Sequence, residues 1–438
     1  MTFSSLNYIF PESAIINQYE HLEIGGIDTQ DLALKYGTPM YILCERTIRN
    51  RCHDFKQAFN KLHENTQILY ASKAYLGPAL AKIIAEEGLG LDVVSGGELA
   101  IARIAESPPS TIYLHGNNKS KTELSAALEY GVDCIVVDNL LEIHLLQELA
   151  STLGKTQSIL LRVTPGIDPH THTKTTTGIV DSKFGLNLSN GQAAEAIRQA
   201  VACPSLHLRG LHFHLGSPIF ELDPYVEAMK VVLEFAASQR EAGLNLEEIS
   251  PGGGFAISYL QNRIAPTPSK YASAIVSSLK EGCAYHQLPL PRLTVEPGRS
   301  IIGQSGITLY TVGNIKDIPG IRTYASVDGG MGDNIRPALY EAEYEAVLAT
   351  NMAKPALKHY TIAGKFCESG DILINDIKLP ELISGDLIAI PATGAYSPSM
   401  SSNYNQNPRP PIILVKDNES RVIRRRETFE DLIRPDIW

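Results

Sequence analysis

The sequence predicts an α/β fold, a (β/α)8 barrel followed by a second, antiparallel β domain. Short apolar, β-branched segments alternate with amphipathic segments of helical length, which is the pattern of parallel βαβ units. The candidate strands of this pattern fall within about 230 residues, which matches the size of such a barrel. After residue 300 or so the helical segments give way to short β-type runs, which indicates an all-β region. An open doubly wound sheet is the structural alternative.

The segment before the barrel is strand-like at His21–Ile24 and Met40–Cys44. It has no helix to pair with, so we expect these strands to join the C-terminal β domain. The predicted domains are therefore residues 46–300 for the barrel, and residues 1–45 together with 301–438 for the β domain.

Each predicted barrel strand is a short run rich in β-branched and aliphatic residues. The sixth is the least regular, because Arg209 and two histidines interrupt it. In chain order the runs are Gln67–Ala74, Leu89–Ser95, Thr111–His115, Cys134–Asp138, Ser158–Thr164, Leu208–Leu215, Leu246–Ser250 and Arg292–Glu296.

Amphipathic stretches lie between these runs and predict the barrel helices. They are Pro78–Glu87, Gly97–Ala105, Lys121–Tyr130, Leu140–Leu153, Gly191–Ala202, Tyr225–Ala242 and Tyr271–His286.

The runs that predict the C-terminal β domain are punctuated by Gly, Pro and Asn, as expected of strands joined by turns. They are Ile301–Ile315, Thr323–Asp328, Ala346–Leu348, Tyr360–Ala363, Asp386–Ile390 and Pro411–Val415.

Composition limits the function classes. Of the 438 residues, 44% are hydrophobic and 20% charged, which is typical of a folded soluble protein. The net charge of −10 argues against nucleic acid as the main partner, because phosphate binding needs a basic face. No apolar run is long enough to span a bilayer, and Met1–Glu20 lacks the pattern of a secretory signal. The six cysteines are scattered, which predicts reduced thiols in a cytoplasmic protein without a disulfide framework or zinc site.

In a barrel of this kind the active site lies at the C-terminal ends of the strands. Several candidate side chains and glycine-rich turns are predicted there and should converge on one rim. They are Lys73 after strand 1, His214–Ser217 after strand 6, Pro251–Gly254 after strand 7, and Glu296–Arg299 after strand 8.

Each candidate has a functional and a structural interpretation. We expect Lys73 to be buried, where a Schiff base would relieve the cost of its charge; the alternative is a lysine that only extends to the rim. The glycines at 252–254 form either an anion-binding nest or a tight turn, with Gly298 and Arg299 as a second group of donors. Glu296 either faces a pyridine nitrogen or forms an ordinary salt bridge.

The histidines likewise have either a functional or a structural interpretation. His214 either stacks on a flat ring or is a satisfied core residue, whereas His212 is predicted to point to the opposite side of its strand and to be structural. His170 and His172 suggest a metal pair, but without a third ligand no metal is predicted.

The second domain offers further candidates. Cys367 lies beside Glu368 in a turn, where a buried inert thiol is the default interpretation. Tyr396 lies in a polar loop at 394–405 that is long for a connector. The run from Asn334 through Arg336 to Tyr340 adds a cationic and phenolic pair.

Taken in order, these segments resemble the fold-type III pyridoxal-phosphate-dependent decarboxylases. The likeness extends from about Gly25 to Asn405, and the ordered set of motifs is far more specific than any one of them. The motifs are YASKA at 70–74, GLDVVSGGEL at 90–99, TGIVDSKFG at 177–185, HFHLGS at 212–217, PGGGF at 251–255, EPGR at 296–299, RPALY at 336–340, CESGD at 367–371 and GAYSPSMSSNYN at 394–405.

The resemblance implies a cofactor, pyridoxal 5'-phosphate, and a role for each residue. Lys73 would hold the cofactor covalently, Glu296 would face its pyridine nitrogen and His214 would stack on its ring. The phosphate would be bound by Ser217, Gly254, Tyr396 and the backbone from Glu296 through Gly298 to Arg299. At the far end of an amino-acid substrate, Arg299, Arg336 and Tyr340 would bind a carboxylate with Tyr396 nearby, and Glu368 would bind an ammonium. Cys367 would be the acid.

The resemblance also implies a homodimer with shared active sites, in which Cys367 and Glu368 reach into the partner's barrel. The implied reaction is decarboxylation of meso-diaminopimelate to L-lysine. One departure is Tyr75, which stands where the family usually has Asn after its Lys-Ala.

Other activities remain as alternatives. An ornithine- or arginine-type decarboxylase is disfavoured, because two arginines would repel a cationic substrate end. A decarboxylase of a related amino acid in secondary metabolism is harder to separate. A racemase would have arginine in place of Glu296. A regulatory binding protein should lack Lys73 or Cys367, and both are present.

Overall fold

The computed structural model describes residues 8–168 and 173–437. The described chain forms two compact units. The barrel unit comprises residues 52–256 and 266–298. The β unit comprises the chain up to Arg51, the segment Ile257–Ala265, and the chain from Arg299 onward.

The N-terminal part of the β unit begins with a small antiparallel sheet of three short strands. Helix α1 follows it and is capped by the Asp28 side chain, which accepts a hydrogen bond from the Gln30 N–H. The elements are β1 (Ile15–Ile16), β2 (Leu22–Ile24), β3 (Ile27–Asp28), α1 (Thr29–Tyr36) and β4 (Met40–Cys44).

Eight parallel strands close into a barrel, because the last of them pairs with the first through Leu293 and Thr66. The predicted (β/α)8 barrel is therefore confirmed, with every predicted strand present. The strands are β5 (Thr66–Ala71), β6 (Gly90–Val93), β7 (Ile112–Leu114), β8 (Cys134–Val137), β9 (Gln157–Thr164), the short β10 (Leu186–Asn187) that only extends the edge of β9, β11 (Leu206–His212), β12 (Glu248–Gly252) and β13 (Arg292–Val295).

Helices connect these strands, and each predicted stretch contains one. Side-chain caps start several of them: Ser120 and Glu123 form a reciprocal capping box at α5. The helices are α2 (Glu45–Asn60), α3 (Pro78–Glu86), α4 (Gly96–Ile104), α5 (Lys121–Tyr130), α6 (Leu140–Thr152), α7 (Gln192–Val201), α8 (Asp223–Ser238) and α9 (Pro268–Tyr285).

Apart from β9, every barrel strand ends at a residue other than the predicted one. Strand β5 stops at Ala71, and Ser72–Ala74 form a 3₁₀ turn. Strand β11 stops at His212, and β12 extends into the glycine run as far as Gly252. Apolar content does not show where a strand stops pairing, so the sequence pattern could not predict these strand ends to the residue.

The N-terminal ends of the barrel strands carry a buried charge network. Glu248, at the start of β12, is 1% exposed. Its carboxylate accepts hydrogen bonds from Tyr113 (2.8 Å), Thr294 (2.6 Å) and Arg292 (2.5 Å). A buried carboxylate is tolerable only when it is paired in this way, so the network stabilises the end of the barrel away from the expected active site.

The main sheet of the β unit has the strand order β18-β17-β15-β14-β4-β20-β21, with β19 pairing with both β14 and β16. Most pairings are antiparallel, as predicted, but β15 with β17 and β4 with β20 are parallel. The elements are β14 (Gly306–Ile318), β15 (Arg322–Val327), β16 (Val347–Leu348), β17 (Lys358–Ala363), β18 (Ile372–Leu379), β19 (Leu387–Pro391), β20 (Ile412–Lys416), β21 (Glu419–Arg424), and the short helices α10 (Arg299–Ile302), α11 (Arg336–Tyr340) and α12 (Phe429–Ile433).

The N-terminal strand β4 lies between β14 and β20, so the first part of the chain contributes a strand to this sheet. Strands β18 and β21 were not predicted. Both are edge strands whose sequences, ILINDIKL and ESRVIR, carry polar residues on exposed positions, so they lack a strong apolar signal.

A search of the described residues finds no helix with the length and apolar character needed to cross a membrane. His170 and His172, for which no metal site is predicted, lie outside the described residues.

Candidate active site

Lys73 follows the first barrel strand, in the turn Ser72–Ala74. Ser72 and Ala74 are buried, whereas Lys73 is exposed. The expectation of a buried lysine is therefore wrong, because the turn carries only the two small neighbours into the core. The ammonium is left accessible at the C-terminal end of the barrel strand, where a reactive amine has to be.

The Lys73 charge acts on buried groups of the same rim. Burial raises the pKa of the Asp92 and Glu98 carboxyls, and the lysine ammonium opposes that rise. Burial lowers the pKa of His214 well below its usual value, and the lysine charge adds to this effect. The imidazole of His214 is therefore neutral near pH 7 and suited to contact a flat, uncharged ring face.

Glu296 follows the last barrel strand and is 5% exposed. Its carboxylate accepts a hydrogen bond from His212 Nε2 to Oε2 (3.2 Å) and another from the Ser250 hydroxyl to Oε1 (3.1 Å). His115 Nε2 lies 3.6 Å away. Burial opposes ionisation, but His212 and His115 outweigh it and hold the pKa of Glu296 well below its usual range. The site thus contains a buried carboxylate that stays anionic.

The prediction that His212 points away from the site and is structural is wrong. Residues two apart on a strand share a face, so His212 should face the same side as His214. In the structure His212 ends β11, its ring packs edge-on to His115 at 5.0 Å, and it binds Glu296. Strict alternation along the strand was the signal that could have found it.

His115, the second histidine of this group, was missed although it ends the predicted run Thr111–His115; in the structure β7 stops one residue earlier, at Leu114. The ligand atoms of His115, His212 and Glu296 lie within 4.8 Å of one another, a spacing that a metal ion could use. The carboxylate already accepts hydrogen bonds from His212 and Ser250, so the arrangement favours a hydrogen-bonded network.

The glycine run after β12 can contain only glycine. Gly252 has φ +71°, and a Cβ there would lie 2.8 Å from His214 Nδ1. A Cβ at Gly253 would lie 2.2 Å from the Glu296 carbonyl oxygen, and one at Gly254 would lie 2.4 Å from the Gly216 carbonyl oxygen. The turn therefore brings its backbone against both flanking strand ends.

The predicted anion nest has fewer available N–H donors than its three glycines suggest. The Gly252 N–H donates to Ser250 Oγ (3.1 Å) and the Gly253 N–H donates to His214 Nδ1 (3.2 Å). Of the three glycines, only Gly254 keeps an N–H without an acceptor in the described part of the chain. The Gly253 bond also fixes the orientation of the His214 ring, which is a role the sequence did not suggest.

The other predicted phosphate contacts in the barrel unit are placed as follows. Ser217 is partly buried just beyond β11. Gly298 follows Glu296 and packs so closely that a Cβ would lie 2.8 Å from the Ala71 carbonyl oxygen. Tyr75, the departure from the family pattern, is 5% exposed and its carbonyl accepts a hydrogen bond from Tyr70 (2.7 Å), so it belongs to the core of the turn.

In the β unit, Arg299 and Arg336 belong to one cluster. Both are buried, at 6% and 5% exposure. The Arg299 guanidinium donates to the Tyr259 hydroxyl (2.5 Å) and stacks on the Tyr396 ring (4.6 Å). Arg336 stacks on the Tyr259 ring (4.8 Å) and donates to the Tyr344 hydroxyl.

This cluster brings together three predicted residues, Arg299, Arg336 and Tyr396. Tyr340 ends helix α11 and is partly buried. Tyr259 and Tyr344 were missed, because neither stands in a recognisable motif and only the fold brings them to the arginines.

Cys367 and Glu368 lie in the turn between β17 and β18, and both are exposed, so the interpretation of Cys367 as a buried inert thiol does not hold. The turn is fixed by Asp371, which accepts hydrogen bonds from the Phe366 N–H (2.8 Å) and from Met331 N–H (2.6 Å). The Cys367 N–H donates to Asn405 (2.9 Å) in the loop that follows Tyr396. A held, accessible thiol is suited to proton transfer.

Comparisons with known proteins identify relatives of this chain. A protein-family model described as "Pyridoxal-dependent decarboxylase, pyridoxal binding domain" matches residues 45–303. The diaminopimelate decarboxylase of Bacillus subtilis (strain 168) is 46% identical over 422 residues, covering 96% of this chain and 96% of that protein. The enzyme of that name from Synechocystis sp. is 42% identical over 443 residues, covering 98% and 92%.

Solved structures of relatives match the fold of the whole chain. The structure of diaminopimelate decarboxylase from M. jannaschii matches with a TM-score of 0.92 at 34% identity and covers 98% of each chain. A second structure of that protein, in complex with L-lysine, matches equally well.

Proposed function

This chain belongs to the pyridoxal-dependent decarboxylases, and we propose that it converts meso-2,6-diaminopimelate to L-lysine and carbon dioxide. It is a lyase of lysine biosynthesis, in keeping with its many relatives named diaminopimelate decarboxylase. Its cofactor is pyridoxal 5'-phosphate.

The residues of the barrel unit fit this cofactor. When bound, it supplies an electron-withdrawing ring that accepts the electron pair left by the departing carboxylate. Glu296, kept anionic by His212 and His115, is suited to keep a proton on the ring nitrogen. The Gly254 N–H and Ser217 are suited to hold the phosphate, since a Cβ at Gly254 would fill the space at Gly216.

The remaining roles are those that the family resemblance implies. Lys73 would hold the cofactor covalently, and His214, held neutral and oriented by Gly253, would contact its ring. Gly298, Arg299 and Tyr396 would contribute to phosphate binding. Cys367 would supply the proton for the substrate Cα, and Glu368 would bind the distal ammonium.

The paired arginines carry the choice of substrate. Arg299 and Arg336 are buried, and both contact Tyr259. Two guanidinium groups bind a carboxylate through charge-assisted hydrogen bonds and repel a cation. A substrate whose far end carries a carboxylate therefore fits, with Tyr340 as a further contact, whereas ornithine and arginine end in a cation.

The experiment that tests this function is carbon dioxide release by the purified holoenzyme from meso-diaminopimelate, ornithine, arginine and lysine in parallel. We expect release from meso-diaminopimelate at a kcat/KM at least about 1000-fold above the others, because losing a recognised charged group leaves buried partners unpaired. Comparable release from ornithine or arginine would refute the assignment.

Replacing Arg336 by glutamine should raise KM for meso-diaminopimelate by about 10- to 100-fold, which corresponds to a lost charge-assisted hydrogen bond. The decarboxylation of a substrate without the distal carboxylate should change far less. Steady-state kinetics on both substrates measures these changes. Arg322→Gln serves as the control, because Arg322 is an exposed residue of strand β15. An equal loss on both substrates would show that Arg336 does not read the carboxylate.

We also propose that the protein acts in the cytoplasm as a homodimer with shared active sites. No disulfide joins the six cysteines, all of which lie in the described residues, and this supports a reducing compartment. The exposed thiol of Cys367 and carboxylate of Glu368 are available to a second copy of the chain.

Mixing two inactive variants tests the shared site. If Lys73 and Cys367 of one site come from different subunits, combining Lys73→Ala with Cys367→Ala protein and allowing exchange should restore about a quarter of wild-type activity, since half of the dimers then hold one intact site. Sedimentation velocity confirms the dimer, and mixing Lys73→Ala with Glu296→Gln, both on the barrel unit, is the control that should restore none. Absence of restoration from exchanged dimers would mean that each site is built from one chain.

A further inference from the structure

We propose that Tyr259 is a positioning residue that holds Arg299 and Arg336 at the spacing needed to grip the distal carboxylate of the substrate. This inference rests on the proposed function and assigns a new residue to it. Tyr259 belongs to the segment Ile257–Ala265, which packs with the β unit.

Tyr259 contacts both arginines. Its hydroxyl accepts a hydrogen bond from Arg299 Nη1 at 2.5 Å, and its ring centroid lies 5.9 Å from the Arg299 guanidinium and 4.8 Å from that of Arg336. One side chain thus contacts both cations at once. Without it, Arg299 and Arg336 would lose this shared contact, and their mutual repulsion would favour a wider separation.

Tyr344 locks the ring of Tyr259 in turn. The two rings meet edge to face, with centroids 5.4 Å apart and an interplanar angle of 86°. Tyr344 is 4% exposed, and its hydroxyl accepts a hydrogen bond from Arg336. Tyr259 therefore has little freedom to rotate, and its orientation passes directly to the guanidinium on its face.

The charge balance of the cluster points to an anionic ligand. In the described ranges the Arg336 guanidinium forms no ion pair, and the groups that act on its charge are the phenols of Tyr259, Tyr344 and Tyr396. A buried cation surrounded by phenols keeps a net positive charge and a desolvation cost that a carboxylate would offset. Phenols supply the hydrogen bonds without cancelling the charge, so the site keeps its attraction for substrate.

The phenol of Tyr259 itself responds to the two cations. Burial would raise its pKa, but Arg299 and Arg336 outweigh burial and lower it below its usual value. A carboxylate bound between the guanidinium groups should raise it again, because an anion disfavours a neighbouring phenolate. Among the described residues, Arg299, Arg336 and Tyr344 are the charged and titratable groups in contact with Tyr259.

The test compares Tyr259→Phe, which keeps the ring, with Tyr259→Leu, which removes it, in the holoenzyme. The readouts are KM and kcat for meso-diaminopimelate, and equilibrium binding of L-lysine, which keeps the distal carboxylate, against cadaverine, which has none. We expect Tyr259→Phe to raise the KM for meso-diaminopimelate and the Kd for L-lysine about 10-fold, and Tyr259→Leu to raise both about 50-fold or more. The kcat should stay within about 3-fold of the wild-type value. Cadaverine binding should not change.

A binding-linked spectroscopic change provides a second readout. Alkaline titration of phenolate absorbance should show one tyrosine in the wild type whose pKa rises when L-lysine binds, and Tyr259→Phe should abolish that change. Tyr324→Phe is the matched control, because Arg322 also stacks on that ring, at 5.6 Å, away from the cluster.

Two results would overturn the inference. One is L-lysine binding within about 2-fold of wild type in both folded variants, since a lost positioning contact to a charged group costs more. The other is an equal loss for cadaverine, which would indicate general damage. If the wild type itself binds L-lysine no better than cadaverine, or releases no carbon dioxide from meso-diaminopimelate, the proposed function fails and the inference fails with it. Should Tyr259→Leu not fold, Tyr259→Phe alone decides.

Discussion

Lys73→Ala should lower kcat for carbon dioxide release by at least about 1000-fold, the scale of losing a residue that acts covalently. Lys73 stands on a 3₁₀ turn between two buried small residues, with its side chain exposed, so alanine should leave the fold intact. The loss should therefore come with an unchanged thermal unfolding midpoint. Kinetics at saturating meso-diaminopimelate and calorimetry measure the two quantities.

A covalent role for Lys73 can also be detected by chemical labelling. Borohydride reduction of the holoenzyme should fix the cofactor on the peptide that contains Lys73, and mass spectrometry identifies that peptide. Lys82→Ala, an exposed lysine of α3, is the matched control and should keep wild-type activity and labelling. Label on another lysine, or a Lys73→Ala enzyme that keeps a tenth of its activity, would contradict the role.

The barrel could be predicted because its strands are buried on both faces and therefore form continuous apolar runs. Strand β8, CIVV, and β9, QSILLRVT, are typical, since almost every residue is buried. The polar edge strands β18 and β21 lack this signal, because their stability comes from pairing with a neighbouring strand that composition does not show.

The site was predicted unevenly for a related reason. Lys73, Glu296 and the glycine run stand in compact motifs, and each lies at the end of a strand. The residues that set their properties stand elsewhere: His115 follows a different strand from Glu296, and Tyr259 lies far along the chain from Arg336. Such long-range neighbours depend on strand order and loop path, which local patterns do not specify.

The sequence also does not show which backbone N–H groups already have a hydrogen-bond acceptor in the fold. A run of three glycines suggests three free N–H donors, but the fold uses the N–H groups of Gly252 and Gly253 on Ser250 and His214. The run therefore has two functions, orienting an imidazole and presenting a single donor at Gly254. Only the register of the turn distinguishes these functions, and glycine at every position leaves the register open.

Glu296→Gln should lower kcat by about 100- to 1000-fold, the range seen when one preorganised electrostatic group is removed from an active site. The reason is the charge of the group and not its shape. His212 and Ser250 hold the carboxylate in place, and His212 with His115 keeps its pKa well below the usual range, so the wild-type group is anionic throughout the working pH range. Glutamine occupies the same volume but cannot keep a proton on the ring nitrogen of the cofactor.

Charge and position can be separated with a second variant. Glu296→Asp keeps the charge and withdraws it by one methylene, so it should recover part of the loss and remain at least about 5-fold more active than Glu296→Gln. Cofactor affinity, measured by fluorescence on reconstitution, should fall for Glu296→Gln more than for Glu296→Asp. Equal activity in the two variants would show that the side chain acts through packing, and the histidine network around it would then be a structural support for the barrel.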